Sequence, residues 1–225
     1  MSNSDSFIDE VNEEVRRDRL FALIRRYGWI AVLVIVLIVG GAAWNEYRKA
    51  QNRAAAETLG DDILAAMGEE DAGLRAQALG ETPAETPEAR AVLALLTAGS
   101  SAEAEETGQA VAELDSVATD GDVPEIYRQI AAFKAVVIQT DTLPPEELRQ
   151  RFEALAQPGS PLRLLANEQL ALLDIREGNT EAALDRYNAI LQDAELFGDL
   201  QQRALQVIVA LGGTPELNGV SEPAE

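Results

Sequence analysis

The side chains best able to do chemistry in this chain are carboxylates and hydroxyls, because its 225 residues include no Cys and no His. That excludes Cys and His nucleophiles, imidazole bases and every zinc site built on either. Paired acids occur at Glu69-Glu70, Glu105-Glu106 and Glu146-Glu147. Two carboxylates can share acid–base work, but these stand at helix starts or in loops, where charge is solvated or offsets the helix dipole. Asp120-Gly121-Asp122 opens like a calcium loop but lacks the later ligands and closing Glu, and reads as a turn. Ser100, Ser101 and Ser160 have no base beside them and read as helix caps. Neither G-x-x-x-x-G-K-S/T nor G-x-G-x-x-G is present. No catalytic, cofactor-binding or metal-binding residue is assigned, and the expectation is a chain without enzymatic activity, cofactor or small-molecule substrate. Tyr127, Phe133, Phe152 and Tyr187 read as core rather than as a ligand groove.

The formal net charge is −21; five arginines and six acids precede residue 27, so −20 belongs to residues 27–225. Such a surface repels nucleic acid. It promotes solubility, and it would also attract basic partners.

From Tyr27 to Trp44 there is no charge, and Trp29 to Val39 is continuously apolar. Eighteen helical residues rise ~27 Å, close to the ~30 Å hydrocarbon thickness of a bilayer. Tyr27 and Trp29 bracket one end and Trp44 the other, where aromatic rings favour the interface. The spacing thus predicts a transmembrane helix over 27–44. Arg25 and Arg26 sit at its boundary; five arginines precede the span, whereas Arg48, Lys49 and Arg53 come after it. The positive-inside rule places the N-terminus in the cytoplasm and the large domain outside. A cleaved signal is the poorer fit, because the leader is long and acidic. Within 1–26, Phe7, Ile8, Val11 and Val15 recur at helical spacing. This cytoplasmic segment either lies along the headgroups or docks a partner.

The downstream elements read as helix after helix, with no period-two alternation to suggest a sheet. Residues 45–86 form a helical extension running to Met67, then a broken stretch from Gly68 to Pro87. Thr86 caps a helix with Pro87 at its first position, Ser101 opens the next, and Pro124, Pro145, Pro161 and Asn179 mark further starts. Phe152 and Leu155 map onto Tyr187 and Ile190 at an offset of 35, and Pro124 onto Pro161 at 37. That is the length of a helix–turn–helix repeat. The repeat domain is expected over 87–212, with a disordered acidic tail over 213–225.

The stretch from Gly178 to Leu191 resembles the second half of a tetratricopeptide repeat, with Ala183, Tyr187 and Ile190 as its small, aromatic and apolar positions. Leu170 and Ala171 fall where that family has Leu and Gly. Asn167, Asp174 and Glu195 depart from its Trp, Tyr and Pro. The resemblance implies an all-α fold, a right-handed α-solenoid of helical hairpins behind the membrane helix. Arg25-Arg26-Tyr27-Gly28, the apolar run, Arg48-Lys49 and the C-terminal repeat together resemble a narrower bacterial group, the ancillary subunits of the SecYEG translocon. That implies an inner-membrane anchor, a periplasmic domain, and partners among translocon subunits and exported or periplasmic proteins, including chaperones. The same layout suits a scaffold of another envelope complex, in cell division or outer-membrane biogenesis.

Overall fold

A computed structural model describes the backbone from Ser4 to Glu216, and side chains at Arg25, Trp29, Ile30 and from Leu33 to Glu216. Every regular element among the described residues is helical. They are α1 (Ser4–Met67), α2 (Ala72–Glu81), α3 (Pro87–Glu103), α4 (Thr107–Thr119), α5 (Glu125–Ile138), α6 (Pro145–Leu155), α7 (Arg163–Arg176), α8 (Thr180–Leu191) and α9 (Gly198–Ala210). The chain divides into two compact units, 1–60 and 61–225.

In the first unit α1 is the single element. Its described side chains as far as Thr58 are exposed, including every residue from Leu33 to Val39. Among the described residues no helix is long and apolar enough to cross a membrane. The expected span 27–44 is only partly within that set, because the side chains of Tyr27, Gly28, Ala31 and Val32 lie outside it. So do those of Arg26 and of nearly all the N-terminal segment, including Phe7, Ile8, Val11 and Val15.

In the second unit each helix packs chiefly on its sequence neighbours, α5 more on α4 than on α6. The core is accordingly a chain of three clusters. Ala91, Ala98, Leu114, Val117 and Ala131 join α3, α4 and α5. Val136, Leu148, Phe152, Leu170 and Leu173 join α5, α6 and α7. Ala171, Tyr187, Ile190, Leu200, Ala204 and Ile208 join α7, α8 and α9. No hairpin closes a core alone, which is the defining economy of a stacked repeat.

Local chemistry sets the boundaries. The Asp71 carboxylate accepts from Leu74 N–H at 2.9 Å and caps α2. Thr86 Oγ1 accepts from Ala89 N–H at 3.2 Å, with Pro87 opening α3. Three helix ends share one motif. After α7, Gly178 takes φ +80° and Asn179 N–H reaches the Asp174 carbonyl at 2.8 Å. After α9, Gly212 takes φ +77° and Gly213 N–H reaches the Ile208 carbonyl at 2.9 Å. After α3 the same left-handed place is held by Glu105, at φ 61°, with Glu106 N–H on the Ser101 carbonyl at 2.8 Å.

Three sequence expectations change. The stretch 68–87 contains a full helix, α2, because Asp71 caps it and Leu79 anchors it in the core despite Gly73 and Gly80. Ser101 does not open a helix: α3 runs past it to Glu103, and Ser101 is wholly buried. The first residues of the expected tail are ordered against α8, where Glu216 N–H meets Asn188 Oδ1 at 3.1 Å. Residues 217–225 lie outside the described residues.

Candidate interaction surface

The repeat is legible in which side chain each alternate helix buries most deeply. Leu79 of α2, Leu114 of α4, Phe152 of α6 and Tyr187 of α8 each stand eight residues into their helix, and all are essentially inaccessible. A large side chain at that place fills the groove left by the neighbouring helix, while small residues let the backbones approach. Ala183 and Ile190 lie on the same helix as Tyr187, all three buried, and Ile190 shares its cluster. Phe152 and Leu170 share the middle one, where Phe133 meets Phe152 edge to face at 6.0 Å between centroids. Leu155 is half-buried and belongs to neither.

Sequence reasoning missed the charged latches that tie the helices together. Arg75 of α2 donates to Ser100 Oγ at 3.1 Å and pairs with Glu103, both on α3. Arg149 of α6 reaches Asp174 and Glu177 at the end of α7, each at 2.8 Å. The two latches have identical sequence spacing and recur 74 residues apart, twice the repeat length. Their signal was an Arg followed 25 and 28 residues later by acceptors, a pattern too sparse to read without the fold. Asp174, which departs from the tetratricopeptide tyrosine, is nearly inaccessible and also holds Arg186 at 2.7 Å. Glu168 is likewise buried and accepts from Nε and one Nη of Arg203, at 2.7 and 2.8 Å. Arg163 binds both oxygens of Asp193, at 2.7 and 3.0 Å. These contacts hold the Asp193 carboxyl below its usual range, the Arg163 hydrogen bonds first and the Glu195 N–H second. Asn167 hydrogen-bonds the Arg163 carbonyl within α7.

A profile of the tetratricopeptide repeat-like domain matches residues 25–150. The chain belongs to the tetratricopeptide repeat-like domain family. No curated protein and no solved structure matches it. The tetratricopeptide repeat-like match runs from Arg25 in α1 to Gln150 in α6. It therefore takes in the apolar run and the arginine of each latch, whereas the Gly178–Leu191 stretch, the clearest repeat in the residues themselves, lies beyond it.

Of the residues expected to anchor the chain, Arg25, Trp29 and Trp44 are exposed, both tryptophans at 65%. Arg26 and Tyr27 lie outside the described side chains. The acid pairs are mostly exposed; Glu147 alone is half-buried and engages Arg151 one turn on. Ser100 serves Arg75 rather than a helix end, and Ser101 Oγ is buried without a partner. What this arrangement can do is present surfaces. Domains of this family mediate protein–protein contact, through faces that successive helices build jointly.

Proposed function

We propose that the chain is a non-enzymatic interaction module anchored in the bacterial inner membrane, with the N-terminus cytoplasmic and the repeats periplasmic. Its partners in this reading are translocon subunits and exported or periplasmic proteins, and it links protein export to periplasmic chaperones. The reading is carried by one observation. Seven consecutive large apolar residues, Leu33 to Val39, are 46–66% exposed on all sides of a helix whose chain leads into a repeat stack. Burying such side chains is worth ~1.5–3 kcal/mol each, so leaving them in water costs on the order of 10 kcal/mol. An uncharged run of eighteen residues in the sequence matches the thickness of a bilayer, and the cations before it favour this orientation. The partner assignment rests on resemblance to ancillary translocon subunits together with the interaction role general to the family.

Two measurements test it. A reporter fused after Glu225 is active only outside the cytoplasm, and carbonate washing leaves the full chain with the membranes. Photo-crosslinkers at exposed positions such as Ile126, Lys134 and Leu172 capture translocon subunits in cells. Release of the full chain into the soluble fraction refutes the anchor, and absence of every translocon contact with the anchor intact refutes the partner.

A further inference from the structure

The part of α1 just past the expected span gathers hydrogen-bond donors on one side. Trp44, Tyr47, Arg48 and Gln51 are spaced i, i+3, i+4 and i+7, so they share one face of the helix, and all four are exposed. The two rings meet, 6.2 Å between centroids and tilted by 33°. Gln51 Nε2 donates to the Tyr47 hydroxyl at 3.0 Å. That bond uses an acceptor site of the phenol oxygen and leaves its proton to be given outward. Arg48 makes no ion pair among the described residues. Between Tyr27 and Gly60 the sequence has two acids, Glu46 and Glu57, and helical geometry puts both on the far side from this face.

Charge is also sorted along the chain. Residues 45–53 hold Arg48, Lys49 and Arg53 against Glu46, a net of +2, whereas residues 54–225 carry −22. The chain's cations beyond residue 27 are thus densest directly after its apolar run. Charges further than ~8 Å away are largely screened at physiological ionic strength, so the local excess, not the total of −21, sets what this face attracts.

Resting on the reading of α1 as a membrane anchor, we propose that this face binds the phosphate of an anionic phospholipid in the outer leaflet. The depth fits. Tyr47 and Arg48 stand ~4.5 and ~6 Å past Trp44 along the axis, within a headgroup layer ~5–8 Å thick. Side chains on a helix lean toward its N-terminus, so Arg48 and Gln51 lean toward the bilayer. Trp44 lies at the glycerol level, and the Tyr47 hydroxyl and Arg48 guanidinium donate to the non-bridging phosphate oxygens. With no carboxylate on this face, nothing pairs with the ammonium of a zwitterionic headgroup, and Arg48 repels it. The face therefore selects phosphatidylglycerol over phosphatidylcholine.

The test uses the full chain reconstituted in phosphatidylcholine bilayers, with Trp29→Phe so that Trp44 alone emits. Quenching of Trp44 by phosphatidylglycerol or phosphatidylcholine brominated in the acyl chain reports which lipid stands beside it. Phosphatidylglycerol is preferred about tenfold over phosphatidylcholine. Arg48→Gln lowers that preference about fivefold. Tyr47→Phe keeps the ring beside Trp44 and lowers it about threefold. Arg53→Gln removes the same charge from the far side of the helix and leaves the preference within about twofold. The proposal is overturned if the two lipids quench alike in the parent, or if Arg53→Gln costs as much as Arg48→Gln. It is equally overturned if Tyr47→Phe changes nothing, which would reduce the face to a diffuse cationic layer. Any of these results leaves carbonate-resistant attachment and the reporter outcome standing. Conversely, release of the full chain from cell membranes by carbonate refutes the anchor whatever preference the reconstituted chain shows.

Discussion

Replacing Tyr187 by Phe should stabilise this protein, although Tyr187 occupies the aromatic position that makes its C-terminal repeat recognisable. The ring is fully buried among Leu164, Ala171, Leu200 and Ala204, and its hydroxyl has no partner. Glu168, whose charge acts on this hydroxyl, is committed through both oxygens to Arg203. An unsatisfied buried hydroxyl costs ~1–3 kcal/mol. Removing the oxygen forfeits a few dispersion contacts, so a net gain of about 1 kcal/mol is expected, or ~2–4 °C in Tm for a chain of this size. Truncation to Ala should instead cost ~3–5 kcal/mol, because the ring fills the space between α7 and α9. Alkali supplies an independent arm. Burial first, and the Glu168 charge second, push the Tyr187 hydroxyl up to about 12, with Arg203 opposing. The folded state therefore favours the neutral ring. The associated stability is complete below the unfolded value near pH 10 and is lost as pH rises toward 12. At pH 11 the loss is about 1.4 kcal/mol. Urea unfolding of the full chain in detergent, followed by circular dichroism at pH 8 and pH 11, should show the advantage of Tyr187→Phe widening by that amount. A variant less stable than the parent at pH 8, or a gap that stays constant, would refute the reasoning.

Three further outcomes are expected from the same structure. Glu105→Gly should stabilise by ~0.5–1 kcal/mol in urea titrations, because a side chain there sits in the left-handed region that Gly178 and Gly212 occupy at the equivalent helix ends; a loss of stability would show that Glu105 holds contacts of greater worth. Arg149→Leu should destabilise by ~2–3 kcal/mol, since it strips one partner from the inaccessible Asp174 and leaves Arg186 alone to balance it. A double-mutant cycle with Asp174→Leu should then give strong coupling, and additive losses would deny the latch. Arg163 holds Asp193 in its ionised form, so that stabilisation is present above about pH 4 and disappears as pH falls below it. Acid unfolding monitored from pH 5 to pH 2 should lose this component in Arg163→Gln, and an unchanged acid limb would count against the pair.

The helical class, the starts at Thr86 and Pro87, and the deep burial of Phe152 and Tyr187 were legible because each rests on local or periodic chemistry. Capping, proline placement and apolar spacing act within one or two turns. The two elements read otherwise have identifiable causes, one tertiary and one conformational. The helix α2 was hidden because Gly73 and Gly80 suggest breakage, and what outweighs them is tertiary, the burial of Ala76 and Leu79 against α3. Ser101 was misread as a cap because its type favours that role, whereas the stop signal lies at Glu105, a residue whose type gives no warning of a left-handed conformation.

The latches were invisible for a deeper reason. Arg75 and Arg149 act on a hydroxyl and on carboxylates 25 and 28 residues away, and their recurrence skips one repeat: Ala112, Val137 and Thr140 stand where the middle copy would have them. A single-repeat search averages this signal to nothing. A polar latch between α2 and α3 and another between α6 and α7, with no counterpart between α4 and α5, means that these equivalent interfaces differ in kind, apolar and non-directional in the middle one, charge-assisted and geometrically fixed in the other two. In a solenoid, where stability is a sum over neighbours, a directional contact of this kind fixes register where apolar packing alone would tolerate slippage.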